Sequence, residues 1–125
     1  MGADTLALAN QINIYQGESA TITLKVKDNT GKAVDITGAS VIMTVKTDIN
    51  TVIPLFQKST DNIAQIAITA PREGKAEIYL SSSDTATLNA IQYVYDIWVI
   101  LATGKKHPVI KPSVFKVEQS VTKFV

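Results

Sequence analysis

Apolar and polar residues alternate along most of the chain, which predicts strands. Ala20, Ile22, Leu24 and Val26 share one parity, and Thr21, Thr23, Lys25 and Lys27 share the other, as in a half-buried strand over 20–27. The same reading places strands over 11–16, over 41–46 with Val41, Met43 and Val45 on one face, over 63–69, and over 75–80 with Ala76, Ile78 and Leu80 inward. The longest apolar run, 92–102, has two largely apolar faces, which predicts a central strand. Segment 51–58 is strand-like but holds Pro54, which cannot donate a ladder hydrogen bond and so predicts an edge or a bulge. Pro108 and Pro112 flank 109–110, which confines that piece to an edge, and 114–121 closes the series. Turns are expected at 17–18, 28–31, 35–38, 59–62, 71–74 and 103–106, where Gly, Asp, Asn, Ser and Pro gather. Segment 81–90 is the single helical turn expected, with Ser or Asp as its N-cap and Ala86 and Leu88 toward the core.

Seven or eight short strands, broken every eight to twelve residues, describe an all-β sandwich or small barrel. Composition agrees. Of the 125 residues, 41 are Ile, Val or Thr and only 7 are Leu, and branched side chains suit a pleated surface better than a helix. The lack of strand–helix alternation argues against a parallel α/β fold. One domain is expected over residues 11–125, preceded by an N-terminal arm over 1–10. The first ten residues lack the basic start of a signal peptide, position 6 is Leu where a myristoylation motif needs Ser or Thr, and no apolar stretch is long enough for a membrane helix.

Charge and rare residues narrow the chemistry. The net charge is +1, so no bulk charge draws the chain to nucleic acid or an anionic membrane. No cysteine is present, which removes disulfides, thiolate metal sites and cysteine nucleophiles, and a single histidine removes a two-histidine metal site. That histidine, His107, follows Lys105 and Lys106 and is expected to be solvated in a turn. Asp35-Ile36-Thr37-Gly38 superficially resembles the Asp-Thr-Gly of aspartic proteases, but Ile36 is one residue too many, so a turn is expected. Asp96 falls on the strand face of Val94, Trp98 and Ile100, and no second carboxylate is spaced to act with it. Tyr93 and Tyr95 share the opposite face, and one of them is expected to make a tyrosine-corner hydrogen bond. Trp98 is assigned to the core. The glycines are isolated, so no phosphate loop is present. No catalytic residues, cofactor or metal are expected, and the chain reads as a non-enzyme.

One positive feature remains. Val52, Ile53, Leu55 and Phe56 are apolar on both faces around Pro54, a sheet-edge liability unless something covers it. They are candidate interface residues, with Phe124 near the chain end as a further one. The rival reading is a loop folded over the open side of the sandwich.

From about Ile14 to Lys123 the chain resembles a family of small bacteriophage proteins with an immunoglobulin-like fold, similar to the N-terminal domain of phage baseplate upper proteins. The landmarks, in order, are Tyr15-Gln16-Gly17-Glu18, the turn Asp28 to Gly31, the turn Asp35 to Ala39 leading into Val41 to Lys46, the stretch Leu80 to Leu88, the strand Tyr93-Val94-Tyr95-Asp96-Ile97, and the closing Val121-Thr122. The chain departs from the family pattern at Glu18, where Arg or Asp is frequent, and at Ala90-Ile91-Gln92, which replaces a glycine. The resemblance implies an immunoglobulin-like antiparallel β-sandwich and a virion structural protein of tail, baseplate, neck or capsid surface, made in the bacterial host cytoplasm. It implies other virion proteins as partners, in a homo-oligomer or high-copy assembly, with no nucleic acid and no membrane, and no catalytic residues to carry over. The alternative is a carbohydrate-binding adhesion module of a phage or cell surface, using end loops of the sandwich and an exposed Tyr93 or Tyr95.

Overall fold

The computed structural model describes residues 10–122. Of the N-terminal arm expected over 1–10, only Asn10 is among them, and Phe124 also lies outside. Eight strands form: β1 (Ile12–Tyr15), β2 (Ala20–Lys25), β3 (Ser40–Lys46), β4 (Phe56–Ser59), β5 (Ile66–Ala70), β6 (Lys75–Leu80), β7 (Gln92–Ile100) and β8 (Lys106–Glu118). A 3-10 turn, Pro71–Glu73, joins β5 to β6, and a one-turn helix α1, Ser82–Thr85, joins β6 to β7. None of the described helices is long and apolar enough to cross a membrane.

The strands make two sheets, one ordered β1-β8-β7-β3-β4 and the other β2-β6-β5. The chain crosses between the sheets after β1, β2, β4 and β6, and the order is that of an immunoglobulin-like sandwich with one extra edge strand, β4, on its larger sheet. Every pairing is antiparallel except β1 with β8, which run parallel from Ile12 opposite Phe115 to Tyr15 opposite Glu118. That parallel pair is the one exception within the expected antiparallel sandwich. It arises because the turn at Gly17, held by the Glu18 N–H donating to the Tyr15 carbonyl, sends the chain across to the smaller sheet.

The period-two pattern decides which face is buried. Val41, Met43 and Val45 of β3, and Ala76, Ile78 and Leu80 of β6, all face the space between the sheets and are buried. Tyr93, Tyr95, Ile97 and Val99 do the same from β7, which lies between β8 and β3 as expected of a central strand. Tyr93 donates its hydroxyl to the Asn89 carbonyl at 3.0 Å, the tyrosine corner. Tyr95 crosses the core edge-on to Phe115, with ring centroids 6.1 Å apart, and its hydroxyl donates to the Asn10 carbonyl.

Two expectations change. Residues 106–118 form one strand rather than two, paired to β7 along its length, with register shifts between Tyr95 and Ile97 and between Ile97 and Trp98. Those extra residues let Pro108 and Pro112 sit in a paired strand without breaking it. Only the half before Phe115 is an edge, on the side away from β7, because β1 begins there. His107 is paired opposite Val99 and half-buried, not in the turn, which closes one residue earlier. In α1 the buried residue is Thr85, which accepts the Gly17 N–H at 3.0 Å; just beyond it Leu88 packs against the core, as expected, and Ala86 is half-buried.

Candidate functional site

Between β3 and β4 the chain leaves the sheet and returns through residues 47–55. Asp48 starts this loop as an Asx turn, its carboxylate accepting the Asn50 N–H at 2.8 Å. The Leu55 N–H donates to the Val45 carbonyl at 2.8 Å and brings the chain back to the sheet. Nothing among the described residues covers the loop's crown: Val52 is 87% exposed, Ile53 77% and Ile49 61%, with Leu55 at 40%. Pro54 removes a donor from the same stretch, so the strand expected over 51–58 shortens to Phe56–Ser59. β4 is an edge strand as expected, paired only to β3.

The four candidate residues of this segment therefore separate. Val52, Ile53 and Leu55 present apolar surface to solvent. Phe56 does not: it lies opposite Val45, turns inward, and packs edge-on against Phe115 with ring centroids 6.0 Å apart. It closes the rim of the core, because β4 resumes the alternation there with Phe56 and Lys58 on the inner side. Lys58 is buried, sits 5.7 Å from the Phe56 ring, and reaches Asp84 of α1 at 2.6 Å. Asp84 also accepts the Ser81 N–H at 2.7 Å, so one carboxylate caps α1 and ties it to β4.

Beneath the loop, on the outer face of the five-stranded sheet, lies a groove of about 380 Å³. This is within the range of about 300–1,000 Å³ usual for small-ligand sites. Its floor is set by register. Gln57 of β4, Thr44 of β3 and Asp96 of β7 stand abreast in neighbouring strands. Gln57 donates its amide to the Thr44 hydroxyl at 2.9 Å. Two residues along β7, Trp98 donates its indole N–H to Asp96 at 3.1 Å. Ile49, Val52 and Pro54 of the loop form one wall and Pro112 of β8 contributes to the other.

Trp98 corrects the assignment to the core: it is 39% exposed on the outer face. Tyr93 and Tyr95, the exposed platform of the carbohydrate alternative, are buried on the inner one. Burial raises both phenol pKa values above the ordinary tyrosine value. Parity separates Trp98 from these tyrosines, and with the tyrosines on the inner face the same parity puts Trp98 on the outer one. Asp96 is half-buried beside it. Asp35 lies in an exposed turn, where hydrogen bonds from the Thr37 hydroxyl and N–H hold its carboxyl below the ordinary value. No cluster of three or more His, Cys, Asp or Glu side chains suited to a metal occurs among the described residues.

No protein-family model matches the chain, and no curated protein does. Among solved structures, murine CRIg aligns with 95% of this chain and 97% of its own, at 8% identity and a TM-score of 0.40. The fold assignment rests on the strand order above.

Proposed function

We propose that this chain is a bacteriophage virion structural protein, a tail, baseplate or capsid-surface component, that acts by protein–protein assembly through the loop over 47–55. The observation that carries the reading is the apolar crown of that loop. Four large aliphatic side chains within seven residues stay in water on a domain whose core is otherwise closed. A run of this kind favours association, because each side chain removed from water contributes roughly 1.5–3 kcal/mol when fully buried. The ordered landmarks from Tyr15 to Thr122, similar to phage baseplate proteins, supply the virion context. High copy number in a particle would multiply a modest contact into firm attachment.

The test uses Ile53→Ser/Leu55→Ser, which removes exposed apolar surface and leaves Phe56 in place. The expected result is an unchanged thermal melt, reduced self-association in sedimentation velocity, and loss of the protein from purified particles measured by mass spectrometry. Equal incorporation of the variant, or absence of the wild-type chain from purified particles, refutes the reading.

A further inference from the structure

We propose that the outer face of the five-stranded sheet carries a saccharide-binding site, centred on Gln57, Thr44, Asp96 and Trp98. It is separable from the assembly reading, because Ile53 and Leu55, whose substitution tests assembly, do not line the groove.

Neighbouring strands lie about 4.8 Å apart, so the row Gln57, Thr44, Asp96 spans about 10 Å across three strands. Each member keeps hydrogen-bonding capacity. Gln57 uses its amide N–H on Thr44 and leaves its carbonyl oxygen free to accept. Asp96 accepts the indole with Oδ2 and retains Oδ1. Thr44 accepts from Gln57 and keeps its own proton to donate. Lys46, one step along β3 on the same face, makes no ion pair among the described residues and adds a donor at the groove's end. Beside this row stands Trp98, a broad apolar surface whose single polar atom is already satisfied by Asp96.

This combination selects among occupants. A purely aliphatic partner side chain would strip water from Asp96, Thr44 and Gln57 without replacing their hydrogen bonds, which is costly. An extended peptide binds a sheet at its edge, through main-chain groups, and the groove floor is a sheet face whose main-chain groups are engaged in the β4–β3–β7 ladders. A nucleic-acid backbone would meet the Asp96 carboxylate with one lysine to offset it. A neutral pyranoside fits every feature. Its C–H face covers an indole, and its vicinal hydroxyls both donate and accept along a polar row.

Trp98 is the single tryptophan of the chain, so its emission reports on the site. The full chain is titrated with glucose, galactose, N-acetylglucosamine, rhamnose, maltose, lactose and diacetylchitobiose, with glycerol as the control. The same titrations are followed by amide chemical shifts. The expected result is a saturable change in emission with at least one of these sugars and none with glycerol, with shifts centred on Thr44, Gln57, Asp96 and Trp98. Asp96→Ala and Gln57→Ala, both on the sheet's outer face, should each weaken binding about tenfold or more with the thermal melt retained. Ile53→Ser/Leu55→Ser should bind sugar as the wild type does, which separates failure of the assembly reading from failure of this one. Lack of saturation with all of these sugars, binding that survives both groove substitutions, or shifts confined elsewhere overturns the proposal.

Discussion

A single hydrogen atom matters most at Gly74. Its φ is 66°, and an added Cβ would lie 2.4 Å from the Val26 carbonyl oxygen and 2.8 Å from that of Val34. Backbone oxygens cannot swing aside as a side-chain tip does. Gly74 also ends the 3-10 turn, and its carbonyl accepts the Val26 N–H, so displacement there would pull β6 away from the end of β2. Gly31 has φ 86° with nothing within 4 Å of the same position. Gly74→Ala should therefore lower stability by about 3 kcal/mol or more, and Gly31→Ala by only about 1 kcal/mol, measured by urea unfolding. Equal losses would mean that the carbonyls move. The turn at 71–74 was readable from Pro71 and Gly74 in sequence. The crowding was not, because Val26 and Val34 belong to remote segments. The candidate site shows the same divide: exposure of Val52 and Ile53 follows from a run of apolar residues around Pro54, whereas Gln57, Thr44 and Asp96 become neighbours only through register.

At the scale of elements, the bridge between Lys58 and Asp84 fastens the edge strand β4 to α1 across the open flank of the sandwich, with side chains only 8% and 15% exposed. The partners are unequal. Asp84 holds the Ser81 N–H as well as the lysine, whereas Lys58 has Asp84 as its sole ion-pair partner among the described residues. Asp84→Ala strands a buried ammonium and uncaps α1, and should cost about 3 kcal/mol or more in chemical denaturation. Lys58→Met leaves the cap intact and fills the same volume with an apolar chain, and should cost about 1 kcal/mol or less. A reversed order would show that the lysine, not the carboxylate, organises this corner. The helical turn itself was legible from its serines and aspartate. Its tie to β4 was not, since a lysine in an edge strand reads as solvated until the pairing of Met43 with Lys58 turns it inward. β8 gives the opposite lesson: two prolines read as strand ends, yet bulges absorb them and the ladder continues.

For the whole molecule, an all-β sandwich was written in the branched residues and their parity, because burial between two sheets needs little more than alternation. Which strand pairs with which is settled by packing across the chain, so the parallel contact of β1 with β8 carried no local sign. The same core sets the response to alkali. Burial raises the pKa of Tyr93 and Tyr95. The unfolded chain therefore loses these protons first, at about pH 10. The stabilisation from keeping both phenols neutral is complete below that pH and falls as pH rises through their raised folded values. Thermal melts should consequently drop above about pH 10, and Tyr95→Phe should reduce the slope of that drop while lowering the melt at neutral pH. An unchanged slope would place the alkaline sensitivity elsewhere. At the acid end, hydrogen bonds from Thr30 and Thr37 lower the carboxyls of Asp28 and Asp35, and what they contribute is lost as pH falls through those lowered values.

The run of Ile12 to Tyr15 alongside Phe115 to Glu118 also has a mechanical meaning. The chain enters this pair beside Ser113, to which the Asn10 N–H is bonded, and leaves it beyond Glu118. Tension applied between the two ends pulls these strands past one another along their length. All four residue pairs resist at once, instead of opening one after another like a zipper.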